Sequence, residues 1–247
     1  MSQTAIASEI SDRRHSESNC ERRVQIAYSV DGQKLQRFLP SAWRSASVSA
    51  GPSKGGNFFI AFRNRLLTTC YDADGTSRPG QLDRGAVLLA TAQHLETGEF
   101  GFWVLGSLSA SPTAVPGPYG NGKLASVRLE QRLEAQGDGD GRCSEDWRLD
   151  CGVDGGLQLY LEYCAGVPAQ DVSELTVRGG PDPDFSRIYK IMKGTDVIRS
   201  SPSSIDRVNC FRFENSLGQF ADILVEDSAL ISIAVDAWYF RQVLIVE

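Results

Sequence analysis

RRVQIAYSVDGQKLQRFLP, residues 22–40, sets how the rest of the chain is read. Val24, Ile26 and Tyr28 alternate with polar neighbours, the two-residue period of a strand with one buried face. In DGQKLQRFLP the spacing changes. Leu35, Phe38 and Leu39 share one helical stripe and Pro40 stops it, predicting a helix of about two turns.

Beyond residue 40 the strand pattern dominates. NFFIAFRNRLLTTCY (57–71), GAVLLATAQHLE (85–96), EFGFWVLGSLSA (99–110), KLASVRLEQRLE (123–134), DWRLDCGV (146–153) and GLQLYLEY (156–163) are alternating or β-branched. So are SELTVRGG (173–180), DRVNCFRFEN (206–215) and ALISIAVDAWYFRQVLIV (229–246). Turn clusters such as DADGTSRPG, ETGE, QGDGDGR and DGG separate them, and their Gly and Asp residues suit hairpins. FSRIYKIMKGTDVIRSS (185–201) fits helix or strand, and Ile188, Ile191 and Met192 favour a short helix.

Residues 1–21 are polar and lack a sustained apolar period, which predicts a flexible tail before one domain over 22–247. That domain is expected to be α+β and β-dominated. So many strands must curl or close to hide their edges, so the architecture expected is a single closed or strongly coiled antiparallel β-barrel with a few short helices. There is no internal repeat.

The 247 residues, 41% of them hydrophobic, are enough for one large core, and no linker divides them. A net charge of -6 argues against nucleic-acid binding, which needs a basic face. No apolar run approaches the ~20 residues of a membrane helix, and the first residues lack a signal-peptide core, so the expected setting is cytoplasmic with no membrane partner. The six cysteines are dispersed without a CxxC pair, and only His15 and His94 could join them as soft ligands. Neither a metal site, a disulfide framework nor a cofactor is expected. The partner expected is a small molecule, and the apolar strands at both ends are compatible with a homo-oligomer.

His94 stands before a hairpin turn with no GxSxG elbow for a triad. The turns Asp72-Ala73-Asp74-Gly75 and Asp138-Gly139-Asp140-Gly141 loosely resemble calcium loops but lack the bidentate Glu. GPYGNG (117–122) has a phosphate cradle's glycine density without its GK[ST] ending. Glu130, Glu162, Glu214 and Asp236 interrupt apolar stretches and are the carboxylates best placed to point inward, but strand alternation turns about half of such residues to water, so any one of them taken alone is expected to be solvated.

Arg63 and Arg65 are better placed, because a cation within an aromatic strand can face a cavity and pair with a substrate carboxylate. Tyr119 and Trp103 join them as candidate substrate-binding groups. In VPGPYGNGKLASV (115–127) a single lysine, Lys123, follows the Gly-Pro turn. It is either a nucleophile with Ala125 and Val127 as apolar same-face neighbours, or a charged residue at a strand edge.

VQIAYSVDGQKLQRFLPSAW (24–43), CYDADGTSRPG (70–80) and SIAVDAWYFRQVLIV (232–246) together resemble the acetoacetate decarboxylase superfamily. The shared features are an opening strand and short helix ending in Leu-Pro, a hairpin with an acidic-Gly tip and a closing strand with an aromatic patch. The resemblance implies a coned β-barrel around an internal pocket. It also implies a lysine forming an iminium with a β-keto acid, activated by an apolar setting or a neighbouring cation. That lysine occupies a Gly-Arg-Glu…aromatic-Pro-Lys-Lys motif in the family. Here the motif falls on Gly106 to Ala114, where Ser107 and Leu108 replace Arg-Glu and Thr113 and Ala114 replace the lysine pair.

The resemblance therefore implies an acetoacetate decarboxylase-like, lyase-like enzyme acting on a small carbonyl or carboxylate compound. Aldol, dehydration or cyclisation chemistry is expected in place of Schiff-base decarboxylation, with Glu162 or Tyr160 moving the proton. The alternatives are a non-catalytic binding protein on the same barrel, or a true decarboxylase using Lys123.

Overall fold

Strand β1 (Arg13–Ser29) begins inside the stretch expected to be a tail. The computed structural model describes residues 13–134, 141–180, 182, 185–224 and 228–246, so the first twelve residues of that expected tail lie outside the described residues. The boundary at 21 is corrected because residues 13–21 pair with β15, and from Glu17 onward with β3 as well. The stretch is polar because its inward face meets a cavity.

After β1, the Asp31 side chain caps helix α1 (Gly32–Gln36), accepting from the Gln33 amide at 2.9 Å. The helix is shorter than expected because Phe38 and Leu39 bond back three residues, to Leu35 and Gln36, and so tighten the chain out of the α form. Next come β2 (Trp43–Ser45), β3 (Phe58–Tyr71), β4 (Ser77–Pro79), β5 (Asp83–His94) and β6 (Phe100–Ser109). They are followed by β7 (Gly122–Leu124), β8 (Ser126–Glu134), β9 (Arg142–Asp150), β10 (Gly156–Cys164) and β11 (Ala169–Gly179). The chain ends with β12 (Ser186–Ser200), β13 (Ile205–Asp206), β14 (Val208–Asn215) and β15 (Ala229–Val246).

The segment at 185–201 is therefore a strand. Pairing with β11 on one edge and β15 on the other satisfies its backbone along nearly its whole length, which overrides the local helical spacing.

Following the pairings from β1 through β3, β5, β6, β11, β12 and β15 returns to β1, a ring of seven strands. Two pairings, β6 with β11 and β6 with β7, are parallel, where an antiparallel arrangement throughout was expected. Nor does one sheet take every strand: β14, β10, β9 and β8 form a separate four-stranded sheet.

The main apolar core lies between that sheet and one face of the ring. Val24, Ile26, Ile60, Phe62 and Leu88 from the ring meet Trp147, Leu149, Leu159 and Leu161 from the small sheet, all buried. The Phe62 and Trp147 rings stand 5.6 Å apart. Alternation then sends Arg23, Gln25, Ala61, Arg63 and Val87 to the opposite face, into the ring.

Candidate functional site

All seven ring strands contribute side chains to one cavity of about 890 Å³, within the range of small-molecule sites. Its apolar wall includes Val87 and Leu89 of β5, Phe102 and Val104 of β6, Val177 of β11 and Ile191 of β12. Its charged wall is mostly cationic. Arg23 comes from β1, Arg63 and Arg65 from β3, Arg187 and Lys193 from β12, and Arg241 from β15.

Three buried or half-buried carboxylates stand among them. Glu21, fully buried, accepts from Arg23 Nε at 2.7 Å and has Arg65 Nε 3.9 Å away. Glu17 lies 3.4 Å from Arg241 and 3.8 Å from Arg65. Asp83 takes Arg63 at 3.2 Å and the Ser109 hydroxyl at 2.7 Å. Register explains the gathering: Glu21 on β1 is opposite Tyr239 on β15 and Arg65 on β3, and Tyr239 is opposite Lys193 on β12.

Burial opposes the charge on Glu21, but Arg23, Arg241, Arg65 and Arg63 outweigh it and hold the carboxyl at about 2. Glu17 is also lowered, against its own burial, chiefly by Arg65 and Arg241. Burial, reinforced by Arg65, pushes Arg63 down to about 10. The two arginines thus repel each other in a buried setting, a repulsion that an anion would relieve. The Nε atoms of Arg63, Arg65, Arg187 and Arg241 are buried without a hydrogen-bond partner.

Three tyrosines line the same space. The Tyr239 ring lies 3.5 Å under the Arg23 guanidinium, and Arg241 lies 4.4 Å over Tyr189. The hydroxyls of Tyr119 and Tyr189 are 2.9 Å apart. Burial raises the phenols of Tyr119 and Tyr239, so both are proton donors at neutral pH. The wall can therefore hold an anion, stabilise negative charge developing on a carbonyl oxygen and donate a proton to it.

Of the residues selected from sequence, Arg63, Arg65 and Tyr119 line the cavity. Trp103 does not. Its neighbours Phe102 and Val104 take the cavity face, so Trp103 points into the apolar core, 5.6 Å from Trp43. Glu162 and Tyr160 bond to each other on β10, in the small sheet, where Leu159, Leu161 and Tyr163 take the core-facing side. Both lie outside the cavity, which corrects their selection for proton transfer there. Lys123 on β7 donates to Asp154 at 2.8 Å with its side chain 43% exposed. It is the charged residue at a strand edge, and not a nucleophile in this cavity.

Of the other carboxylates, Glu130 and Glu214 are exposed, whereas Asp236 is buried and accepts from the Thr195 hydroxyl at 2.5 Å. His94 accepts from the Glu96 and Thr97 amides at 3.3 and 3.2 Å, closing its turn. The Asp72 turn is exposed, with Asp72 3.3 Å from Arg78, and the turn at 138–141 lies outside the described residues except for Gly141.

Thr113 and Ala114, the positions assigned by resemblance to the lysine pair, do line the cavity. Gly117 and Gly120, at φ of 77° and 66°, turn the following loop so that Tyr119 reaches the wall. Thr113 bonds to Gln81 and lies 3.1 Å from the Ser111 hydroxyl. There is no amine at this point of the wall. Among the described residues the amine on the wall is Lys193, which sequence reading missed along with Glu21, Arg23, Tyr189, Arg241 and Tyr239. Arg241 carried the same signal as Arg63, a cation inside an aromatic strand. Lys193 was hidden by the helical reading of its segment.

No protein-family model matches the chain, and no curated protein matches its sequence. Solved structures do match its fold. The enduracididine biosynthesis enzyme MppR complexed with pyruvate superposes with a TM-score of 0.54 at 11% identity, covering 93% of this chain and 88% of that one. An acetoacetate decarboxylase-like enzyme from Sphingomonas wittichii RW1 gives 0.51 at 12% identity, with 93% and 90% covered. Acetoacetate decarboxylase from Legionella pneumophila subsp. pneumophila str. Philadelphia 1 gives 0.50 at 12% identity, with 94% and 86% covered. At these identities the likeness is one of architecture, and by that measure the chain has the acetoacetate decarboxylase-like fold.

Proposed function

We propose that this protein is an acetoacetate decarboxylase-like enzyme whose closed barrel binds a small oxo acid and activates it as an enolate. The chemistry is of aldol, dehydration or cyclisation type, without the family's lysine pair. The observation that carries this reading is the Arg63–Arg65–Arg241 wall, with Nε atoms that lack hydrogen-bond partners and buried tyrosine donors, joined to Thr113 and Ala114 at the positions the resemblance gives to the amines. The arginines take the substrate carboxylate and offset charge on the enolate oxygen, and a tyrosine hydroxyl supplies the proton. The pyruvate complex of MppR supports the choice of oxo acid.

A second reading, iminium formation, is favoured by Lys193 on the cavity wall with no carboxylate within ion-pair distance among the described residues. One experiment separates the two. The protein is incubated with pyruvate in deuterated water and methyl-proton exchange is followed by NMR, with a parallel borohydride treatment read by mass spectrometry. Exchange without a borohydride adduct, lost in Arg65→Met, supports enolate chemistry. An adduct on Lys193 transfers the mechanism to the iminium route. Binding with neither exchange nor adduct would make the protein a non-catalytic binder and overturn both.

A further inference from the structure

Five of the cavity arginines already have carboxylates beside them: Arg23 has Glu21, Arg63 has Asp83, Arg78 has Asp72, and Arg65 and Arg241 share Glu17. Arg187 is different. Among the described residues no carboxylate lies within ion-pair distance of it, and its buried Nε has no hydrogen-bond partner. Its guanidinium stands 5.7 Å from the Phe185 ring, and its charge acts on Tyr119. Tyr119 and Tyr189, hydroxyl to hydroxyl at 2.9 Å, form the wall beside it. A half-buried guanidinium with no counter-charge is costly unless a ligand supplies one.

The position matters as much as the vacancy of charge. Arg187 is four residues along β12 from Ile191, which is opposite Arg241 on β15. Four residues of strand span about 13 Å. The cavity thus has one pole where Arg63, Arg65 and Arg241 act together on Glu21 and a second at Arg187, and Val104, Leu175 and Val177 line the same cavity. A ligand with a single carboxylate satisfies one pole and leaves the other bare.

We propose that the substrate is a doubly anionic oxo acid, its second carboxylate bound by Arg187 beside the paired hydroxyls of Tyr119 and Tyr189. The planar guanidinium fork matches a carboxylate, and the apolar wall matches a short methylene chain. This rests on the reading above, that the first carboxylate and carbonyl lie at the Arg63–Arg65 pole.

Isothermal titration of the full chain with chain-matched acids tests it: α-ketoglutarate against α-ketovalerate, and α-ketoadipate against α-ketocaproate. In each pair only the terminal group differs, carboxylate or methyl. The diacid of at least one pair is expected to bind about tenfold tighter or better, as a charge-assisted hydrogen bond warrants. Arg187→Met should erase that advantage while keeping the monoacid within about twofold of the parent protein. Equal affinities within both pairs of acids, or an advantage that survives in Arg187→Met, would overturn the second subsite and leave the oxo-acid reading standing. Failure of all four acids to bind overturns both.

Discussion

The Glu21 carboxylate and the Arg23 guanidinium, two residues apart on the inward face of β1, are joined by a hydrogen bond of 2.7 Å from Nε, with Nη2 directed at the same oxygen. Glu21 is fully buried and Arg23 lines the cavity, so the carboxylate backs the guanidinium from within the wall.

Its pH dependence follows. The Glu21 carboxyl titrates at about 2 in the folded protein against an ordinary 4.5. A depressed acid contributes stability that is complete above the ordinary value and lost as pH falls towards the folded one. Denaturant unfolding across pH should show stability declining below about pH 4.5 in the parent protein. Glu21→Gln should flatten that decline and remove about 3–5 kcal/mol at neutral pH, the cost of leaving buried guanidinium groups unpaired.

Arg63 carries the opposite sign. Its folded pKa of about 10 lies below the ordinary 12.5, so the charged form is penalised in the empty cavity at every pH below about 10. An anion relieves that penalty. A bound oxo acid at a hundred times its dissociation constant should stabilise the fold by about 2.7 kcal/mol, read as a rise in Tm. Arg63→Met should need much higher ligand for the same shift.

Lys123→Met should leave unfolding free energy within about 0.5 kcal/mol of the parent protein, as expected for an exposed pair, and should leave pyruvate proton exchange unchanged. Loss of exchange in this variant would restore the lysine to the mechanism.

Trp147→Ala should destabilise the protein by about 3–5 kcal/mol, since this side chain is 1% exposed and fills the space between the small sheet and the ring. It also donates from Nε1 to Glu145 at 2.9 Å, and Glu145 holds Arg22 of β1 at 2.8 Å. Chemical denaturation monitored by far-UV circular dichroism would measure the loss. A change below about 1 kcal/mol would show that the small sheet contributes little to the fold.

Much of the strand content was legible because most of these runs bury one face, and Val24, Ile26, Phe62, Leu159 and Leu161 show that face as a two-residue rhythm. Where a strand carries polar residues inward, the rhythm reverses and the signal disappears. Glu17, Asn19 and Glu21 read as solvated tail, although Asn19 is 1% exposed and Glu21 fully buried. In β12, Arg187, Tyr189, Ile191 and Lys193 alternate onto the cavity, but the isoleucine spacing imitated a helix until two neighbouring strands were in place to bond its backbone. Trp103 and Arg63 show the remaining limit. Each lies in an apolar strand, and nothing local distinguishes the one that enters the cavity from the one that enters the core.

The amino-acid order alone established a β-rich chain and the arginine pair inside an aromatic strand, and the family resemblance assigned Thr113 and Ala114 to the positions of that family's lysines. Only the tertiary structure decided which side of each strand met the hollow and which charges shared it. Alternation defines two faces without ranking them, and Glu21, Arg65, Lys193 and Tyr239 become neighbours solely through the register of four strands distant in sequence.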